Sequence, residues 1–253
     1  AYQQYIVNNA RITIHIFLKI DWVFDSIIFG PMRADFISYR GLCSISHTLH
    51  LGDALCMPPP EVQMQVTAFG SQFISSISIA FLGGFIIAFP YVFWEFWRFI
   101  KPALSSKEIA NTRGSIFFVS FFFICGVSFG YFLLAPFTFS FLSNFKLGVL
   151  HALETKPTLD DYLDNMINII IGAGISFELP VIAFVLTKIG LVTPRFLQVY
   201  RKYAYLFILV IAAVITPSPD WMSQAIVAIP LFLLYELSIL ISARVEKERK
   251  KAD

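Results

Sequence analysis

Charge is scarce in this sequence. Charged residues make up only 14% of the 253-residue chain, whereas 57% of it is hydrophobic. A soluble domain averages about a quarter charged residues, so this chain has too little charge to cover a water-facing surface. Its three cysteines exclude a disulfide-rich scaffold and a cysteine-based metal site. These shortages indicate an integral membrane protein, and the N-terminus lacks the basic region and clean apolar run of a cleavable signal peptide.

Enzyme motifs are also missing. The sequence contains no GxSxG elbow, no HExxH, no Walker loop and no close pair of intramembrane aspartates. His47 and His50 are three residues apart and could share a metal, but two ligands without a third are weak evidence. Solvated loop histidines are the favoured interpretation. We therefore expect no enzyme, no cofactor, no metal site and no nucleic-acid partner.

Five apolar runs indicate membrane crossings: Phe73–Phe93, Gly114–Ala135, Met166–Leu186, Tyr203–Ile215 and Trp221–Ile241. A bilayer core of roughly 30 Å needs about 20 apolar residues in a helix. Pro136 is expected to stop or kink the second run. Ile12–Ile28 is apolar by count but is interrupted by charges, so we expect a degenerate or truncated first helix there. The predicted fold is an all-α, polytopic membrane protein, with residues 1–253 forming a single integral membrane domain.

The loops sort by charge. Segments 97–113, 188–202 and 242–253 hold most of the Lys and Arg residues, and they alternate with acid-rich loops that include residues 30–68. By the positive-inside rule, the three basic segments and the C-terminus are cytoplasmic, and loop 30–68 lies on the outer side.

Three carboxylates lie in or at the edge of apolar runs. Glu178 lies deep inside Met166–Leu186, where a charge costs about 2.5–3.5 kcal/mol on insertion scales. A hydrogen bond to a neighbouring helix is one explanation, and a functional polar site is the favoured one. Glu95 is interpreted as a headgroup-zone residue, and Glu236 could snorkel or pair near Arg244. Glu108 is an acid on the basic side, where a carboxylate could receive a cationic ligand.

The fourth crossing is short. Tyr203–Ile215 spans about 20 Å as a helix, against a core of roughly 30 Å. We expect the following turn, with Pro217 and Asp220, to lie below the outer surface of the bilayer, where lipid thins or water enters. A short hairpin shielded by neighbouring helices is the alternative.

The outer loop contains two of the three cysteines. Cys43 and Cys56 lie where oxidising conditions favour disulfides, so a bridge between them is expected, with two unpaired thiols as the alternative. Cys125 lies within a predicted span and should stay reduced.

Motifs along most of the chain resemble one family. The run Phe89–Leu104, followed by Glu108, resembles the first cytoplasmic loop of TatC proteins. Phe177-Glu178-Leu-Pro180 is similar to their fourth-helix motif. Thr216-Pro217 with Asp220, Ser223-Gln224, Ile229-Pro230 and Tyr235-Glu236 resemble their last two helices. The match covers roughly residues 65 to 245, and loop residues 28–43 resemble Bacteroidetes versions of the family.

The resemblance implies a non-catalytic receptor core of the twin-arginine translocase, with six helices in a curved, concave arrangement in the bacterial cytoplasmic membrane. Phe99 and Glu108 occupy the positions that contact the arginine pair of the signal peptide. Glu178 occupies a concave-face position, and we group Gln224 and Glu236 with it as candidate contacts for TatA- and TatB-type single-span partners. Self-association in a multi-copy complex is also implied.

Two positions depart from the family pattern. No His-Leu-x-Glu-Leu-Arg segment precedes the first crossing, and the arginine usual after the Glu108 position is Ile109 here. A proton-coupled small-solute transporter using Glu178 and Glu236 is the alternative function. Such transporters usually have paired, repeat-related broken helices, and the sequence has no internal repeat.

Overall fold

The structure is a computed structural model that describes residues 13–14, 16–48, 50, 56, 58–60, 63–100, 115–144, 156–216 and 221–252. Helices dominate these residues. Their one isolated extended pairing joins Gln65 to Thr158.

The helices follow one another along the chain with short irregular joints. They are α1 (Ile20–Val23), α2 (Ile37–Thr48), α3 (Ser71–Ile100), α4 (Ser115–Phe129), α5 (Ala135–Asn144), α6 (Leu159–Ser176), α7 (Leu179–Lys188), α8 (Pro194–Val199), α9 (Arg201–Ile215) and α10 (Trp221–Ala252). A π turn, Phe24–Ile28, follows α1 directly and precedes the 3₁₀ turn Gly30–Met32. A second π turn, Gly130–Leu134, joins α4 to α5.

Four segments of the described chain are long and apolar enough to cross a membrane. They are Ser71–Phe99, Phe117–Asn144, Leu159–Lys188 and Gln224–Lys247. They contain the cores of four predicted runs, so the prediction of an all-α, multi-pass membrane protein is confirmed. The fifth run, Tyr203–Ile215, lies in α9, which has 15 residues and stays short. The described part of Ile12–Ile28 is interrupted at Lys19 and ends in a π turn.

Two predicted boundaries were wrong. Met166–Leu186 is not one helix, because α6 ends at Ser176 and α7 begins at Leu179. Pro180 lies in the first turn of α7, where its missing N–H would have no helical acceptor in any case. Pro136 does not stop its helix, which continues to Asn144. The π turn just before it shifts the hydrogen-bond register, and this accommodates the proline.

The described chain forms two compact units. The first comprises Ala1–Ile87 and Ser128–Ile170, and the second comprises Ala88–Val127 and Ile171–Asp253.

In the first unit, three tyrosines hold the corner between α1 and α2. The hydroxyls of Tyr131, Tyr162 and Tyr39 donate to the carbonyl oxygens of Ile27, Ile28 and Pro31 at 2.6, 2.5 and 2.6 Å, respectively. Burial raises the pKa of the Tyr39 hydroxyl well above its ordinary range, so this hydroxyl remains a donor. The corner has few regular helical bonds, and these side chains satisfy its carbonyl groups.

In the second unit, α7, α9 and α10 pack together. Thr187 and Ser242 share a buried hydrogen bond of 2.7 Å between their hydroxyls. Such a bond satisfies polar groups that would otherwise be unpaired between apolar helices.

Gly126 marks a close helix approach in this unit. A Cβ atom at Gly126 would lie 2.6 Å from the Ala173 carbonyl oxygen and 2.9 Å from the Gly174 Cα atom. Two backbones therefore meet where a side chain has no room.

We expect Gly126→Ala to lower the free energy of unfolding in detergent by about 1–3 kcal/mol, because the added methyl group overpacks this contact. The matched control is Gly41→Ala in α2, where a Cβ atom would meet nothing within 4 Å. It should be neutral or stabilising by up to about 1 kcal/mol, since alanine favours a helix over glycine. Equal unfolding midpoints for the two variants would contradict the packing described.

Candidate functional site

The predicted signal-peptide residues lie at the end of α3 and beyond it. Phe99 lies in the last turn of α3, and 83% of its surface is exposed. Glu108 lies outside the described residues. The structure therefore presents one of the two residues, as an aromatic ring that is open to a ligand.

Glu178 lies at the break between α6 and α7. It is only 7% exposed, and no described residue gives a hydrogen bond to its buried Oε1 atom. Its backbone carbonyl accepts from the N–H groups of Val181 and Ile182, which starts α7. The sequence predicted this carboxylate inside a continuous helix. It is instead the N-terminal flanking residue of a new one.

Glu236 has two partners that the sequence interpretation missed. The Tyr205 hydroxyl donates to its Oε1 at 2.5 Å, and the Arg201 guanidinium donates to its Oε2 at 2.9 Å. The suggested pairing with Arg244 was wrong, because both carboxylate oxygens are engaged by α9. Arg201 and Tyr205 are four residues apart on that helix, and this spacing was the available signal. The carboxylate holds α9 to α10.

The remaining residues at the last helix pair lie on both sides of the turn. The side-chain amide of Gln224 donates to the Leu209 carbonyl oxygen at 3.0 Å, near the beginning of α10. Pro217 and Asp220 lie outside the described residues. Gln224 therefore closes the hairpin between α9 and α10 next to the turn.

A second polar cluster, absent from the sequence interpretation, lies in the first unit. Ser71 donates to the two carboxylate oxygens of Asp160 at 2.6 and 2.7 Å, and Ser75 donates at 3.1 Å. Both serines are buried. The cluster joins the first turns of α3 and α6, and serines at positions i and i+4 opposite an acidic helix start were its only sequence signal.

Cys43 and Cys56 form a disulfide, and His47 lies beside it with Nε2 3.8 Å from the Cys56 sulfur. Cys43 and His47 lie in α2, a helix within the predicted outer loop. These three side chains hold their ligand atoms within 4.8 Å of one another. In the disulfide, however, the two sulfurs are bonded to each other and are not thiolate ligands, so this arrangement is not a three-ligand metal site.

Replacing Glu178 with leucine should raise the free energy of unfolding of the isolated chain by about 1–3 kcal/mol, because a buried acceptor without a partner is removed. Glu178→Gln, which keeps a polar group at the same place, should give a smaller gain. Thermal unfolding in detergent measures both. A leucine variant less stable than the original chain would show that the carboxylate stabilises the fold.

Mass spectrometry of unreduced peptides should recover Cys43 and Cys56 as one linked pair and Cys125 as a free thiol. Closing a loop across a sequence separation of 13 contributes roughly 3 kcal/mol in the chain-entropy model. Reduction should therefore lower the unfolding midpoint of the original chain and leave that of a double serine variant unchanged. Two free thiols at these positions would refute the bridge.

Comparison with known proteins gives a consistent answer over nearly the whole chain. The family model described as Sec-independent protein translocase protein (TatC) matches residues 6–230. A curated TatC protein of Blattabacterium sp. subsp. Periplaneta americana is 43% identical over 90% of this chain and 85% of its own length. The TatC protein of Aquifex aeolicus is 38% identical over 76% of this chain and 80% of its own length.

A solved structure shares the fold. The crystal structure of the twin arginine translocase receptor TatC in DDM is 30% identical in sequence, with a TM-score of 0.63. The similarity covers 96% of this chain and 99% of that one. Together with the helical architecture and the residues placed above, these matches show that the chain belongs to the TatC family of Sec-independent protein translocase proteins.

Proposed function

We propose that this chain is the receptor core of a twin-arginine translocase and binds the signal peptides of folded precursors for export. The observation that carries the proposal is the similarity, over almost the full length of both chains, to a solved twin arginine translocase receptor. TatC proteins are translocase components and not enzymes, so the chain's task is recognition and assembly.

The proposed signal site is formed by Phe99 and Glu108. The exposed ring of Phe99 offers a surface on which an arginine side chain can stack. Glu108 supplies a carboxylate, which a guanidinium can contact with two parallel hydrogen bonds. Basic residues surround Glu108 in the sequence, so the acid is the local feature that favours a cation.

The proposed partners are TatA- and TatB-type single-span proteins, with further copies of this chain in a multi-copy complex. Glu178 carries a buried oxygen that has no partner within the described chain. A polar group on a partner helix would satisfy it. Gln224 and Glu236 are grouped with Glu178 as partner contacts, although both already bond to α9.

The proposed location is the bacterial cytoplasmic membrane, with the C-terminus in the cytoplasm. The concentration of Lys and Arg in segments 97–113, 188–202 and 242–253 supports this orientation. The proposed signal site then faces the compartment in which precursors are made.

The small-solute transporter gains no support. Its two proposed carriers differ, because Glu236 is fixed by an arginine and a tyrosine whereas Glu178 lies buried at a helix break. The similar proteins described above are translocase components.

We expect Glu108→Ala to weaken binding of a twin-arginine signal peptide by about threefold to tenfold and to leave the weaker binding of a twin-lysine peptide nearly unchanged. A bidentate guanidinium contact exceeds the roughly 0–1 kcal/mol of an exposed ion pair, whereas an ammonium group loses less. Site-specific cross-linking to the full chain in membranes measures the difference. Equal cross-linking of the twin-arginine peptide to both proteins would reject the role of Glu108.

A further inference from the structure

The last turns of α3 present an acid and an exposed ring on one face. Glu95 and Phe99 are four residues apart, so they lie one above the other on the helix surface. Trp97 lies between them in sequence and points the opposite way. It is 7% exposed, whereas Phe99 is 83% exposed. The face with Glu95 and Phe99 is therefore the one turned away from the packed side of the helix.

Glu95 already has a guanidinium beside it. Nη1 of Arg98 lies 3.6 Å from its Oε1, and the side chain of Arg98 is 67% exposed. This distance is longer than the roughly 2.7–2.9 Å of a charge-assisted hydrogen bond. The Tyr91 hydroxyl donates to the same oxygen at 2.9 Å and so holds the carboxylate in place. Arg98 is thus loosely held by a well-oriented acid.

Such a pair is easily exchanged. An exposed ion pair within one helix contributes about 0.3–0.5 kcal/mol, so removing Arg98 from Glu95 costs little. Glu95 is less exposed than its partner, at 32% of its side chain, which shields the carboxylate more than the guanidinium. An incoming guanidinium would replace one of identical chemistry, while Arg98 has a clear path to solvent.

Two adjacent arginines need two acceptors, and Glu108 supplies only one. We propose that Glu95 receives the second guanidinium of the signal peptide, and that Arg98 occupies this place until the peptide displaces it. The inference rests on the proposed function and adds a specificity-determining residue to the same site. Phe99, one turn further on, and the half-exposed Phe96 offer ring faces to the same two guanidinium groups.

The test uses the full chain in lipid nanodiscs and four fluorescent signal peptides, which carry Arg-Arg, Lys-Arg, Arg-Lys or Lys-Lys. Glu95→Gln should weaken Arg-Arg binding by about threefold to tenfold, the range for one charged contact. It should also remove the preference for arginine at one of the two positions. Glu95→Asp, which keeps the charge, should restore part of the affinity.

Arg98→Gln should act in the opposite direction. It removes the internal competitor and should tighten Arg-Arg binding by about twofold to threefold, which reflects the small energy of the pair. The gain should vanish in the Glu95→Gln, Arg98→Gln double variant, because no acid remains for the competitor to block. Persistence of the full gain in the double variant would show general charge repulsion and would overturn the displacement.

The control variant is Glu246→Gln, which removes an acid from the C-terminal part of α10 and should leave all four affinities unchanged. Thermal unfolding verifies that each variant is folded. If Glu95→Gln binds all four peptides as the original chain does while Glu108→Gln loses affinity, the role of Glu95 is wrong and the proposed function stands. If the original chain binds Arg-Arg and Lys-Lys peptides equally, the proposed function fails and this inference fails with it.

Discussion

Hydrocarbon offers no hydrogen bonds, so a chain that crosses a bilayer must satisfy its polar groups from within. The structure meets this constraint in specific ways. Helix–helix hydroxyl pairs such as Thr187 with Ser242 are closed on each other, and Glu236 is closed by Arg201 and Tyr205. The corner between α1 and α2 is satisfied by tyrosine hydroxyls. Polar side chains therefore connect helices here, while apolar ones face lipid.

Glu178 is the exception to this closure, and the exception indicates function. Its Oε1 is buried and lacks a partner in the described chain. The break between α6 and α7 puts the carboxylate at a helix start, where the positive end of the helix dipole lowers the cost of negative charge. A receptor that recruits single-span helices needs a polar group held ready in the membrane, and Glu178 has that property.

The sequence predicted the fold better than the details of the sites. Charge scarcity and uninterrupted apolar runs follow directly from the bilayer's thickness, so helix identity and the polar position of Glu178 were readable. The break at Phe177–Glu178 was not, because a proline near a helix start and one inside a helix look alike in sequence. The partners of Glu236 were also missed, since Arg201 and Tyr205 approach from another helix. Such contacts between distant residues are properties of packing and not of local pattern.

The most direct test of this account asks whether a partner helix completes Glu178. A photo-cross-linking residue at Ile182, one turn beyond Glu178 and 49% exposed, would be compared in the original chain and in Glu178→Ala, in membranes that contain the single-span partners. A probe at Val214, which is 77% exposed, serves as a control site away from the carboxylate. The account predicts adducts with a single-span partner at Ile182 that are lost or shifted in Glu178→Ala, while the chain stays folded. Identical adducts in both proteins would contradict it.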